Sequence, residues 1–143
     1  DDPVLGVIYD FLRGDLFSGV VGEGACLNGQ VIRVSNIQSA SQAIVASGFP
    51  MHYHYDNEGL QRYIGEVTKF RKLRLYGTAA LSLAYVACGR ADAYLEDDIM
   101  FWDIAGGAAL VTAAGGYARI TDSGTTKWAK KVRCASHRSV WES

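Results

Sequence analysis

The chain carries almost no net charge: 14 lysines and arginines against 15 aspartates and glutamates leave −1 at pH 7. A balance so near zero supplies no bulk attraction to nucleic acid or to a membrane surface, so the expected partner is a small molecule. Cysteine is scarce too. Cys26, Cys88 and Cys134 are odd in number and widely separated, with no C-x-x-C pair. That excludes a disulfide framework, suggests no zinc site, and fits a reducing, cytoplasmic compartment. Long apolar runs are missing: the most apolar stretch, 104–114, is too short and too rich in glycine to span a bilayer. No charged-then-apolar leader opens the chain, although a chain that starts inside a strand is equally consistent with upstream sequence. Internal repeats and low-complexity tracts are absent.

What is present is a globular composition. Nearly half of the 143 residues are apolar, which argues against disorder. A chain of this length buries roughly 70% of its unfolded surface, enough for one real core. Residues 4–9 and 16–21 are β-branched or aromatic runs separated by Arg13-Gly14-Asp15 and predict a hairpin. Gly22, Gly24 and Gly29 then predict a loop before a strand at 31–34. These strands read as part of an antiparallel sheet with an unpaired edge, an association hazard. From residue 43 short buried strands alternate with helices: strand 43–46, helix 57–69, strand 72–75, helix 79–87, strand 91–95, helix 104–114, strand 116–120 and strand 132–135. That alternation predicts an α/β arrangement with a largely parallel sheet covered on both faces. Ligands of such sheets gather where strands end and helices begin, and both Gly77-Thr78 and Trp102-Asp103 fall at such junctions.

The segment 91–107 holds five carboxylates, Asp92, Glu96, Asp97, Asp98 and Asp103, between a strand and a glycine-rich helix. Oxygen ligands gathered this way suit a hard divalent cation such as Mg²⁺, and so point to phosphate chemistry. Within it Trp102-Asp103-Ile104-Ala105-Gly106-Gly107, followed by Thr112-Ala113-Ala114-Gly115-Gly116, resembles the signature of the inositol monophosphatase family. Gly22-Glu23-Gly24-Ala25-Cys26-Leu27-Asn28-Gly29 with Ile32-Arg33-Val34-Ser35, then Gly48-Phe49-Pro50, then Gly77-Thr78-Ala79-Ala80, resemble other family segments in the family's order. The resemblance runs from about Gly6 to about Ser136 and covers only the second half of a typical member.

The resemblance implies the C-terminal half of a layered αβαβα sugar-phosphatase fold. Residues 1–40 would be antiparallel strands of an incomplete N-terminal sheet, and 41–143 a C-terminal α/β subdomain. It implies a Mg²⁺-dependent, lithium-sensitive phosphomonoesterase that hydrolyses a phosphorylated small polyol and is a cytoplasmic homodimer when complete, with no nucleic-acid or membrane partner. Members carry most metal ligands upstream, in a Glu-Glu pair and a D-P-x-D-G-T segment. Neither is in this chain: in Asp2-Pro3-Val4-Leu5-Gly6-Val7, Leu5 stands where an aspartate belongs and Val7 where the threonine belongs. The isolated chain is therefore expected to be inactive.

Asp103 matches the one family metal ligand retained and so carries the catalytic and metal-binding assignment; its plainer role is a helix N-cap. Glu96 matches a family glutamate that hydrogen-bonds substrate hydroxyls, and otherwise reads as an exposed loop carboxylate. Gly77, Thr78 and Ala79 open a helix whose unpaired N–H groups attract oxygen-rich ligands, and the resemblance sets them against the polyol; Thr78 alternatively only caps. Asp97 and Asp98 read as solvated. Trp102 reads as packing that seals its helix against the sheet and positions Asp103. His52 and His54 read as surface residues rather than zinc ligands, and the basic 127–133 stretch as a solvated face rather than a nucleic-acid contact. Other readings are a fructose-1,6-bisphosphatase-like, histidinol-phosphate or 3'-phosphoadenosine phosphatase, and, outside enzymes, a half-length binding or assembly module.

Overall fold

The computed structural model describes residues 2–49 and 55–142. The first hairpin forms where predicted: β1 (Leu5–Asp10) pairs antiparallel with β2 (Asp15–Val20), with Tyr9 opposite Leu16 and Leu5 opposite Val20. Its turn is closed by the Asp10 carboxylate, which accepts from Leu12 N–H at 3.1 Å, and by Gly14, whose φ of 70° suits a residue without Cβ. The glycine-rich stretch expected to be a loop instead contains a strand, β3 (Gly24–Leu27), which pairs with β2 and with β4 (Gln30–Ile32). Four antiparallel strands result, in the order β1-β2-β3-β4.

A 3₁₀ turn at Ala40–Gln42 leads into the second half. There follow β5 (Ile44–Ser47), α1 (Asn57–Val67), β6 (Lys72–Arg74), α2 (Ala79–Ala87), β7 (Ala93–Met100), α3 (Phe101–Ala113), β8 (Tyr117–Asp122) and β9 (Ala129–Ala135). A last 3₁₀ turn spans Arg138–Trp141. The second sheet has the order β6-β5-β7-β9-β8. β5 runs parallel to β6 and β7, as the strand–helix alternation predicts, whereas β7 with β9 and β9 with β8 are antiparallel. The reason is the connection: β8 reaches β9 through a short turn rather than a helical crossover, and a short turn can only reverse the chain.

Helices α2 and α3 lie between the two sheets. One core joins Phe17 and Ala25 of the first sheet, Leu83, Ile104, Leu110 and Val111 of the helices, and Tyr94, Val132 and Cys134 of the second sheet. On the far face of the second sheet, Val67 and Phe70 at the end of α1 pack on Val45, Leu95 and Val140. Close approaches in the middle layer need glycine. A Cβ on Gly6 of β1 would lie 2.8 Å from the Gly106 carbonyl carbon of α3, and one on Gly107 would lie 2.5 Å from Leu83 Cβ of α2. The outer face of the first sheet, away from α3, is apolar and uncovered: Leu5, Val7, Tyr9, Leu16 and Val31 are all exposed. Among the described residues no helix is long and apolar enough to cross a membrane, and Cys26, Cys88 and Cys134 are free thiols.

Candidate active site

Three strands, β6, β5 and β7, run in one direction, so the chain leaves them at one end of the sheet, and the residues singled out above lie along that end. β6 delivers Gly77, with φ 75°, and then Thr78, which caps α2. The Thr78 hydroxyl accepts from Leu81 N–H at 3.5 Å and keeps its own proton to give. Ala79 is the first residue of α2, where backbone N–H groups have no partner within the helix.

Asp103 is not the N-cap. α3 begins two residues earlier, at Phe101, with Met100 in the capping position, and Asp103 lies exposed in the first turn. A carboxylate there is favoured by the helix dipole while remaining open to a ligand.

Glu96 is neither exposed nor in a loop. β7 continues past the expected end at Leu95 as far as Met100, and Glu96 is 7% exposed inside it. The fully buried Tyr94, two residues earlier on the same face of the strand, donates its hydroxyl to Glu96 Oε2 at 2.5 Å. Above the carboxylate, β5 ends at Ser47 and the backbone of Gly48 passes so near that a Cβ there would sit 2.9 Å from Glu96 Cδ. Burial pushes the Glu96 carboxyl above the ordinary glutamate range. The Tyr94 hydrogen bond works against that rise, and the charges of Asp103 and Asp97 add to it.

Because the native state holds the Glu96 proton more tightly than the unfolded chain does, the linkage has a definite sign. The penalty is absent below the ordinary glutamate pKa and is complete once pH has risen through the raised native one. Glu96→Gln, which cannot ionise, is expected to raise the melting temperature at neutral pH and to lose that gain in acid. Thermal melts of both forms across pH check this, and an equal gain at every pH would contradict it.

Asp97 and Asp98 are not simply solvated either: Asp97 is half-buried and paired, and Asp98 is buried. Asp97 accepts from Arg133 Nη1 at 2.7 Å. Asp98 is 7% exposed, has φ 63° and accepts from the Thr125 hydroxyl. The pairing of β7 with β9 breaks between Glu96 and Ile99, so these two aspartates form a β-bulge. Beside the bulge opens a cleft of about 510 Å³. Gly48, Glu96, Asp97 and Asp98 belong to its floor, and Tyr63 and Glu66 of α1 to its wall. Glu96 is thus shared between the cleft and the helix-start side; Gly77, Thr78, Ala79 and Asp103 do not line the cleft.

Trp102 does not seal α3. It is 64% exposed, with its ring tilted against Trp128 at 6.4 Å; the helix is packed instead by Ile104, Gly107, Ala108, Leu110 and Val111. The basic stretch is largely committed within the molecule: Lys130 pairs with Asp122, Lys127 lies over the Trp128 ring, and Arg133 pairs with Glu66 and Asp97. His52 and His54 lie outside the described residues. Among the described residues no group of three or more His, Cys, Asp or Glu side chains is placed to hold a metal ion. Asp103 alone does not make a Mg²⁺ site, since such a site takes several oxygen ligands.

Gly48 came from the family-like Gly48-Phe49-Pro50 segment; Tyr94, Arg133 and Thr125 are the contributors to the site that sequence reading missed. Tyr94 had a signal, its i, i+2 spacing from Glu96 in a strand; the others come from distant segments.

Known proteins resemble this chain in sequence and in fold. The chain is 43% identical over 117 residues to the Nus factor SuhB of Xylella fastidiosa, a match covering 81% of this chain and 42% of that protein. It is 38% identical over 120 residues to inositol monophosphatase 3 of Solanum lycopersicum, covering 80% of this chain and 44% of that protein. Among solved structures, the inositol monophosphatase of Anabaena (Nostoc) sp. PCC 7120 superposes with a TM-score of 0.79 at 33% identity, over 97% of this chain and 56% of that one. The chain thus spans about half the length of the proteins it matches. The model of the inositol monophosphatase family matches residues 1–142, and with the fold and these relatives it establishes that this chain belongs to that family.

Proposed function

We propose that the complete polypeptide carrying these residues is a Mg²⁺-dependent phosphomonoesterase that releases inorganic phosphate from a phosphorylated small polyol. The observation that carries this reading is the gathering of Glu96, Thr78 and Asp103 at one end of the second sheet in a member of the inositol monophosphatase family. Glu96, held by Tyr94 on one oxygen, offers the other to a polyol hydroxyl. Thr78 and the N–H groups at Gly77 and Ala79 supply complementary donors and acceptors for neighbouring hydroxyls. Asp103 contributes one carboxylate to a cation site whose other ligands lie outside this chain. The bound cation would offset charge on the phosphoryl oxygens.

The test is phosphate release from inositol 1-phosphate, with fructose 1,6-bisphosphate, histidinol phosphate and 3'-phosphoadenosine 5'-phosphate as competitors. The complete polypeptide should turn over a polyol monophosphate only with Mg²⁺, and Asp103→Asn should lower kcat by about 100-fold or more. Residues 1–143 alone should release phosphate no faster than buffer, since they supply one carboxylate where a metal site needs several. Mg²⁺-dependent turnover by the homogeneous isolated chain would contradict the division of labour, and a complete polypeptide inactive on all four esters would contradict the phosphatase reading. A binding or assembly role is the second reading, favoured by the uncovered apolar face of the first sheet and by relatives named as Nus factors.

A further inference from the structure

Arg133 holds together three pieces of the cleft that are far apart in sequence. It sits on β9 opposite Leu95 of β7, so its side chain points to the α1 side of the sheet. Nε donates to Glu66 Oε1 at 2.9 Å and Nη2 to Glu66 Oε2 at 3.0 Å, a two-pronged pair with the wall helix. Nη1 donates to Asp97 Oδ1 at 2.7 Å, to the Val132 carbonyl at 2.9 Å and to the Glu96 carbonyl at 3.4 Å. Only 20% of the side chain is exposed, and the Trp141 ring lies 5.9 Å from Cζ. A planar guanidinium with five donors makes this set of contacts; a lysine ammonium has no fork to match a carboxylate.

The contacts lie where the floor of the cleft departs from regular strand geometry. The bulge turns on Asp98, fixed by Thr125 on one side, while Arg133 fixes the preceding peptide through both Asp97 and the Glu96 carbonyl. The same cation sits between two carboxylates that border one cleft, Glu66 and Asp97, and reaches Glu96 only through its main-chain carbonyl. Without it α1 and the bulge would present like charges to each other and separate, and the Glu96 backbone would lose a tether.

We propose that Arg133 is a positioning residue for the polyol end of the substrate: by clamping Glu66 of α1 to the Glu96–Asp97 peptide it sets the direction in which Glu96 presents its carboxylate to a substrate hydroxyl. The proposal rests on the reading of Glu96 given above. It predicts discrimination between substrates, because an ester without hydroxyls does not use Glu96.

In the complete polypeptide, Arg133→Met is expected to raise KM for inositol 1-phosphate about tenfold with kcat changed less than about twofold, and to leave both constants for p-nitrophenyl phosphate unchanged. Arg133→Lys should recover part of the loss. Arg90→Met, which removes an ion pair to Asp15 remote from the cleft, should behave as wild type in this comparison. Equal effects on both esters, or none on either, would overturn the proposal, because a purely structural strut does not distinguish substrates. If wild type hydrolyses neither ester, the phosphatase reading fails and amide hydrogen exchange decides the positioning role separately. Exchange at residues 96–99 at least about tenfold faster in Arg133→Met supports the clamp, and unchanged exchange overturns it.

Discussion

Gly6→Ala is expected to cost the protein about 3 kcal/mol, among the largest effects of any single methyl group in this fold. The added Cβ would lie 2.8 Å from the Gly106 carbonyl carbon, nearer still to its oxygen, and 3.0 Å from Leu110 Cγ. Two of those atoms are backbone in the middle of α3, so no rotamer relieves the overlap; the first sheet must lift from the helix layer, opening the core around Phe17 and Leu110. Gly14→Ala is the informative control. Gly14, unlike Gly6, has positive φ, but nothing lies within 4 Å of its missing Cβ, so only the strain of a left-handed residue, about 1 kcal/mol, should appear. Urea unfolding of the complete polypeptide separates the two, and equal midpoints would mean that β1 does not rest on α3 as described.

Asp92→Ala is expected to be comparably severe, at about 3 kcal/mol. The carboxylate is buried and joins the segment after β4 to the start of β5: Ser35 Oγ donates to Oδ1 at 2.6 Å, and Ile44 N–H donates to Oδ2 at 2.7 Å. Alanine leaves both donors without their partner. Asp92→Asn keeps one good acceptor and places an NH₂ group against a donor, so it should recover only part of the loss. Melting of the three forms gives the order wild type, Asn, Ala. An alanine variant as stable as wild type would show that water replaces the carboxylate at no cost.

Much of the fold was legible because its signals are local. α2 runs from Ala79 to Ala87 as the apolar run after Gly77-Thr78 predicts, and the β1–β2 hairpin turns at Gly14 as the Arg-Gly-Asp punctuation predicts. Where the reading failed, a distant segment overrode local chemistry. Glu96-Asp97-Asp98 has the polarity of a loop, yet β7 continues through it because Arg133, 36 residues further along, balances Asp97 and because Tyr94 and Thr125 occupy the other two carboxylates. β3 escaped notice because glycines at 22, 24 and 29 look like loop punctuation, whereas their positive φ values shape the turns and edge around a short strand.

The site divides the same way. Asp103, Glu96 and Gly77–Ala79 were singled out by motif, and the chain direction of three parallel strands explains why they share one end of the sheet. Their settings were not legible: whether a carboxylate is buried, as Glu96 is, or exposed, as Asp103 is, depends on which neighbours the topology brings. Trp102 shows the limit of pattern reasoning in the opposite sense, since an aromatic at a helix start reads as core and here faces solvent beside Trp128.

The uncovered outer face of the first sheet has a consequence for how β1 finds its alignment. In a sheet with one polar face, sliding a strand by a single residue would turn its apolar set toward water, and hydrophobicity itself forbids the slip. In β1 the outward residues Leu5, Val7 and Tyr9 are as apolar as the inward Ile8, so a shift exchanges one greasy set for another. Size does the discriminating instead. The gap beneath the Gly106 carbonyl admits a hydrogen atom and nothing larger, so neither Leu5 nor Val7 can stand where Gly6 stands. The alignment of the hairpin is set by a side chain that is not there.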